Sequence, residues 1–298
     1  MRSNLIHTAL VCFAFLLAND LVTAAPITTG LLGWFDASDA ATVLDTNGNP
    51  ASSGSFNGSI GTWVDKASLQ GTQSAVKSSG APGYTASSKN GLPAIHFDGN
   101  DTLTTPAIDF GHFTYFAAWR GDANSILIYE RSPDTNSFDG DYLNASTNAT
   151  VVAKRTGDFS AKDNIAGSAW GQDGVFRISE QSFDGTHASH VLFLNGAAAS
   201  LQTHTDQTIA GGYNGDQIVS AALNVGSRQG GIAGLNGDLA ELLVYDHVLS
   251  AADRNAVGSY LAAKYAVTTA YVPEPSTLLL SCLGAIGLWA VGSSRRRS

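Results

Sequence analysis

Val175-Phe176-Arg177-Ile178-Ser179-Glu180 alternates apolar and polar side chains through its centre, from Phe176 to Ser179. Successive side chains of an extended chain point to opposite faces, so Val175, Arg177 and Ser179 share one face and Phe176, Ile178 and Glu180 the other. That is a strand period. The next apolar segment, 189–194, ends at Asn195-Gly196, a dipeptide that readily supplies the two positive-φ residues of a tight hairpin turn. Outward from this pair the same grammar repeats. Residues 31–36 read as a first strand closing into an Asp-Ala-Ser-Asp turn, 61–65 as a short strand, and 92–97 as an alternating one turned by Asp98-Gly99-Asn100-Asp101. Residues 113–119 and 125–130 read as a buried strand pair joined through Gly121-Asp122-Ala123-Asn124. A hairpin through 142–143 and 150–153, then strands at 218–225 and 237–245, complete the series. The Ser/Gly/Ala-rich stretch 66–90 has little apolar periodicity and reads as surface loop.

One helix interrupts the strands. Ser250 is placed to cap it, with Asp253 three residues on, and Val257, Leu261 and Lys264 or Tyr265 then fall on one face. The expected fold is therefore all-β, an antiparallel β-sandwich with one short C-terminal helix packed on it as a lid, in one domain over residues 26–270.

Composition narrows the function. The chain has 298 residues, a net charge of −9, only 14% charged residues and 32 glycines. That profile excludes a nucleic-acid partner and a disordered polyanion, and Asp, Asn and Gly together are turn chemistry. The two cysteines, Cys12 and Cys282, both fall in apolar terminal segments, so the domain between them has no thiol for a disulfide, a zinc site or a nucleophile. At the N-terminus, Arg2, the apolar core 9–17 and the small residues near Ala24 form a signal peptide over residues 1–25. At the other end, Val272-Pro273-Glu274-Pro275-Ser276-Thr277 leads into the apolar run 278–291 and then Arg295-Arg296-Arg297. Prolines one residue apart stiffen the chain. A transmembrane helix over about 277–293 is near the lower length limit for a bilayer core of about 30 Å, with the arginines as a cytoplasmic stop. A single-pass anchor with a short tail accounts for these features.

The order Pro273-Glu274-Pro275, apolar helix, terminal arginines also resembles the PEP-CTERM sorting signal of bacterial exported proteins, here over residues 272–298. The resemblance implies an integral-membrane, exosortase-like enzyme as partner, and delivery through the inner membrane to the cell surface or an extracellular polysaccharide matrix. A second resemblance rests on 34–38 (Trp-Phe-Asp-Ala-Ser), 63–66 (Trp-Val-Asp-Lys), 91–99 (Gly-Leu-Pro-Ala-Ile-His-Phe-Asp-Gly) and 237–246 (Gly-Asp-Leu-Ala-Glu-Leu-Leu-Val-Tyr-Asp). Their order is similar to that in the concanavalin A-like, laminin G-like jelly rolls of bacterial surface proteins. It implies adjacent N- and C-terminal strands and binding of glycans or proteins, in some members with calcium.

The search for chemistry is mostly negative. Glycosidases of this fold place paired glutamates on one strand, and Glu130, Glu180, Glu241 and Glu274 are widely separated in sequence. No Gly-x-Ser-x-Gly elbow precedes a helix, and 226–231 is a glycine-rich loop outside any βα unit. His187 and His190 point to opposite faces of an extended segment, and the other histidines are scattered. Asp98, Asn100 and Asp101 cluster on one turn and are the candidate ligands of calcium, with turn-stabilising hydrogen bonds as the competing explanation. Trp119, Trp170 and Tyr213, in or near expected loops, are the candidate platforms for glycan rings, whereas Trp34 and Trp63 read as core. The expectation is a non-catalytic exported module that binds glycans or other matrix components, or else a passive structural component, with a polysaccharide-cleaving enzyme built on Asp residues as the third alternative.

Overall fold

The alternation resolves into two antiparallel sheets facing each other. The computed structural model describes residues 26–67, 73–108, 112–121, 125–131, 140–145, 150–153, 163–165, 174–183, 191–198, 221–227 and 234–272. In chain order the strands are β1 (Leu31–Asp36), β2 (Val43–Asp45), β3 (Ile60–Trp63), β4 (Ala75–Ser79), β5 (Gly83–Lys89) and β6 (Leu92–Asp98). There follow β7 (Thr102–Ile108), β8 (Phe113–Gly121), β9 (Ser125–Arg131), β10 (Gly140–Ala145), β11 (Thr150–Ala153) and β12 (Asp163–Ile165). Last come β13 (Arg177–Phe183), β14 (Val191–Leu194), β15 (Ala197–Ala198), β16 (Ala221–Val225), β17 (Asn236–Tyr245) and the helix α1 (Ala251–Tyr265).

One sheet runs β15-β14-β13-β8-β17-β6-β5, and the other runs β12-β11-β10-β9-β16-β7-β4-β3-β2. The long strand β17 holds β8 along one edge; along the other it pairs first with β6 through residues 236–239, then with β1 through 241–245. The first and last strands are thus neighbours, as the jelly-roll resemblance implies. Between the sheets lies a core of Phe35, Ile95, Phe97, Phe113, Trp119 and Leu242 against Val43, Ile60, Trp63, Leu103, Leu223 and Val225. Each large apolar side chain buried there contributes about 1.5–3 kcal/mol of transfer free energy.

The sequence motifs meet in space for architectural reasons. Asp65 accepts the backbone N–H of Trp34 at 2.8 Å, the N–H of Lys66 donates to the Trp34 carbonyl at 2.8 Å, and the Lys66 ammonium reaches Asp36 at 2.9 Å. The 34–38 and 63–66 motifs therefore clasp one another at a corner of the sandwich. At Asn195-Gly196 both φ angles are positive, 49° and 77°, and β14 turns into β15 as expected. Ser250 caps α1, accepting the Asp253 N–H at 3.2 Å and donating its hydroxyl to the Asp253 carboxylate at 2.7 Å. Val257, Leu261 and Tyr265 face Phe116, Ala118, Ile178, Leu243 and Tyr245, a second core on the outer face of the first sheet.

Two expectations fail. Residues 66–90 are not all loop: β4 and β5 lie there, and their sequence signal is weak because β5 is an edge strand whose residues are half-buried or exposed. The pair at 113–130 is not a hairpin: β8 belongs to the first sheet and β9 to the second, so the chain crosses the sandwich between them. Strands β2, β7 and β12 had no sequence expectation. Among the described residues no helix is long and apolar enough to cross a membrane. The expected signal peptide at 1–25 and the expected transmembrane helix at 277–293 fall on residues outside the described ones.

Candidate functional site

Helix α1 covers only part of the outer face of the first sheet. Beyond it, alternation places Arg120 of β8 on the same face as Phe116 and Ala118, and His96 of β6 on the same face as Ala94. Register sets Asp238 of β17 directly between them, opposite His96 on one side and Arg120 on the other. Asp238 is 1% exposed, while the side chains of Arg120 and His96 remain 42% and 48% exposed. The Asp238 Oδ1 atom meets His96 Nδ1 at 2.8 Å; its Oδ2 accepts from Arg120 Nε at 2.8 Å, from Arg120 Nη2 at 2.6 Å and from the Ser88 hydroxyl at 2.6 Å. Burial pushes the Asp238 carboxyl upward, but these donors, the Arg120 charge among them, hold it below the ordinary carboxylate value. Ser88 donates to the carboxylate and not to His96, so no nucleophile–base pair is formed here.

Beneath α1 lie two glutamates, each with no exposed surface. Glu241 accepts from Trp34 Nε1 at 2.7 Å and the Tyr260 hydroxyl at 2.8 Å on one oxygen. Its other oxygen accepts from Lys264 Nζ at 2.7 Å and the Tyr265 hydroxyl at 2.9 Å. Lys264 also reaches Asp36 at 2.9 Å. Burial and the negative charge of Asp36 push Glu241 above the ordinary carboxylate range, against the pull of Lys264 and Tyr260. Glu180 is held by Arg254 and, at 3.0 Å, by the Tyr271 hydroxyl; burial pushes it upward as well. The two side chains pin the helix and the segment after it to the sheet.

The candidate cation ligands occupy a different corner. Asp101 is 1% exposed, and its two oxygens accept the backbone N–H groups of Ala81 at 2.5 Å and Asp98 at 2.8 Å. Asp98 accepts the N–H of Asn100 at 3.2 Å. These are turn-stabilising bonds. Among the described residues no group of three or more His, Cys, Asp or Glu side chains is arranged to hold a metal ion. Trp119, at the end of the expected strand 113–119, lies in β8, is 3% exposed, donates its indole N–H to Ser179 at 2.7 Å and is part of the core. Trp34 is only partly buried, with the Lys66 ammonium 4.3 Å from its ring centroid. Trp170, Tyr213, His187, His190 and the tail residues Pro273, Glu274, Pro275, Arg295, Arg296 and Arg297 lie outside the described residues. The Asp238 cluster was missed because its members are far apart in the chain. The only local signal was His96 and Asp238 each on the polar side of an alternating strand.

No curated protein matches the chain by sequence. Among solved structures, domain 4 of AbnA, a GH43 extracellular arabinanase of Geobacillus stearothermophilus in complex with arabinotriose, is 10% identical, with a TM-score of 0.45 over 76% of this chain and 96% of that one. The sialidase of Trypanosoma rangeli is 12% identical with a TM-score of 0.47, over 81% of this chain and 34% of that one. The CBM40 of Ruminococcus gnavus IT-sialidase, bound to alpha2,3 sialyllactose, is 14% identical with a TM-score of 0.38, over 53% and 97%. Residues 272–297 match the PEP-CTERM protein-sorting motif, so the β-sandwich is the cargo of a tail that marks an exported protein.

Proposed function

We propose that this chain is a non-catalytic surface or extracellular-matrix module that binds glycans, carried outward by its signal peptide and handed over at its tail to an exosortase-like membrane enzyme. The observation that carries this reading is the sorting motif at 272–297 joined to a sandwich with a half-open outer face, where Asp238 holds Arg120 and His96 toward solvent. The non-catalytic part is supported by Glu180 and Glu241, which lie beneath α1 with their oxygens engaged, away from any substrate. The test is a glycan array probed with the full chain in detergent micelles, with and without calcium. Binding to a defined set of glycans is the expected result; no binding under either condition overturns the reading and leaves a passive structural role.

A further inference from the structure

We propose that Lys264 and Asp36 condense into an intramolecular amide bond, with Glu241 carrying the protons, so that the end of α1 is tied covalently to the end of β1. The three side chains meet in a nearly dry site. Asp36 is 4% exposed, Glu241 has no exposed surface, and the Lys264 side chain is 11% exposed. Lys264 Nζ lies 2.9 Å from Asp36 Oδ1 and 2.7 Å from Glu241 Oε2, so one nitrogen touches both an acceptor carboxyl and a base. It also lies over the rings of Tyr260 and Tyr265, 5.4 and 5.3 Å from their centroids. The far oxygen of Asp36, Oδ2, has the Lys66 ammonium 2.9 Å away. Burial draws the Lys66 pKa down, but Asp36 and Asp39 outweigh it and raise it, so Lys66 stays a cation. On Glu241 the oxygen away from Lys264 meets only neutral donors, the Trp34 indole and the Tyr260 hydroxyl. Asp36 is therefore the acceptor and Glu241 the base.

The step needs no co-reactant. One proton passes from the Lys264 ammonium to Asp36 Oδ1, leaving an amine beside a carboxylic acid. Burial opposes charge on Asp36, while Lys264, Ser38 and Lys66 hold its pKa below the ordinary value; the neutral pair is a minor state, and the reaction draws on it. The nitrogen lone pair attacks Asp36 Cγ, and negative charge gathers on Oδ2, facing Lys66. Glu241 takes a proton from the nitrogen and returns it to Oδ1 as the Cγ–Oδ1 bond breaks. Oδ1 leaves as water, and the double bond from Cγ to Oδ2 re-forms. An ammonium and a carboxylate have become an amide and one water, and Glu241 is a carboxylate again. Burial and the Asp36 charge raise the Glu241 pKa, which suits a group that accepts and returns a proton. Holding the reacting groups in contact is worth an effective concentration of about 10⁵–10⁸ M. The domain between Cys12 and Cys282 has no thiol, so this bond closes its first strand onto its last helix as a disulfide does in other exported proteins.

The test denatures the full chain after purification in detergent micelles, digests it with trypsin and reads the peptides by mass spectrometry. The wild type is expected to give a joined pair, one peptide carrying Asp36 and the other Lys264, lighter by one water than their sum, with no cut after Lys264. Fragmentation places the link on Asp36. Lys264→Arg keeps the charge but has no nucleophilic amine, and gives no joined pair. Lys66→Met, at a partly exposed side chain, slows the appearance of the pair in freshly synthesised chain about tenfold or more. Separate peptides and complete cleavage after Lys264 in the wild type overturn the proposal. A link from Lys264 to Glu241 overturns the choice of acceptor, and an unchanged rate in Lys66→Met overturns the role of Lys66. The wild type alone decides whether the bond exists, so a variant that fails to fold does not blur the answer.

Discussion

Glu241→Gln is the sharpest probe of what holds α1 to the sandwich. The carboxylate takes two donors on each oxygen, and two of the four, the Trp34 indole N–H and the Lys264 ammonium, have no lone pair to offer in return. A glutamine amide keeps the shape but turns an N–H₂ group toward one of them, whichever way it is flipped. Hydrogen bonds to charged groups are worth about 1.5–3 kcal/mol each, and breaking a buried ionic network costs about 3–5 kcal/mol. Relief from desolvating a carboxylate next to Asp36 offsets part of this, leaving an expected loss of about 2–4 kcal/mol. Against a typical total of about 5–15 kcal/mol that is a large fraction. Urea unfolding followed by tryptophan fluorescence should show a lower midpoint at unchanged slope. In a double-mutant cycle, Lys264→Met added to Glu241→Gln should cost less than the sum of the single changes, because both remove the same contact. A Gln variant as stable as the wild type would refute the idea that these donors are organised around a charge.

Other consequences are equally direct. A Cβ at Gly258 would lie 2.4 Å from the Tyr271 ring, so Gly258→Ala should unseat that side chain from Glu180. Helix propensity alone predicts about 1 kcal/mol of stabilisation for this change; instead we expect a net loss of about 1–3 kcal/mol from the lost burial and hydrogen bond, read by urea unfolding, and faster exchange of the Ala270 amide. Stabilisation would show that Tyr271 has no energetic role. For Asp238 the folded-state pKa lies below the ordinary 3.8, so its contribution is present above that value and is lost as pH falls through the folded value. The melting gap between wild type and Asp238→Asn should therefore shrink in acid below pH 3.8, whereas a gap that persists in strong acid contradicts it.

Local rules determined a good part of this protein. The two-residue period at 175–180 placed Phe176, Ile178 and Glu180 on one shared face, the Asn195-Gly196 pair dictated a hairpin, and Ser250 with Asp253 marked where α1 begins. The same turn rule applies to Asn90-Gly91, whose φ angles are 53° and 73° between β5 and β6, but it sat beside a Ser-rich stretch without apolar periodicity. Only the tertiary structure decided which strands are partners. A strand's period says which side chains share a face, yet not which sheet the strand joins, so β8 and β9 looked like a hairpin although they lie in opposite layers. The Asp238 site shows the same limit. His96 and Arg120 are 142 and 118 residues from Asp238, and they converge because β17 is inserted between β6 and β8. Backbone chemistry is local and readable in order, whereas a site built across three strands exists only once burial of both sheets has set their register.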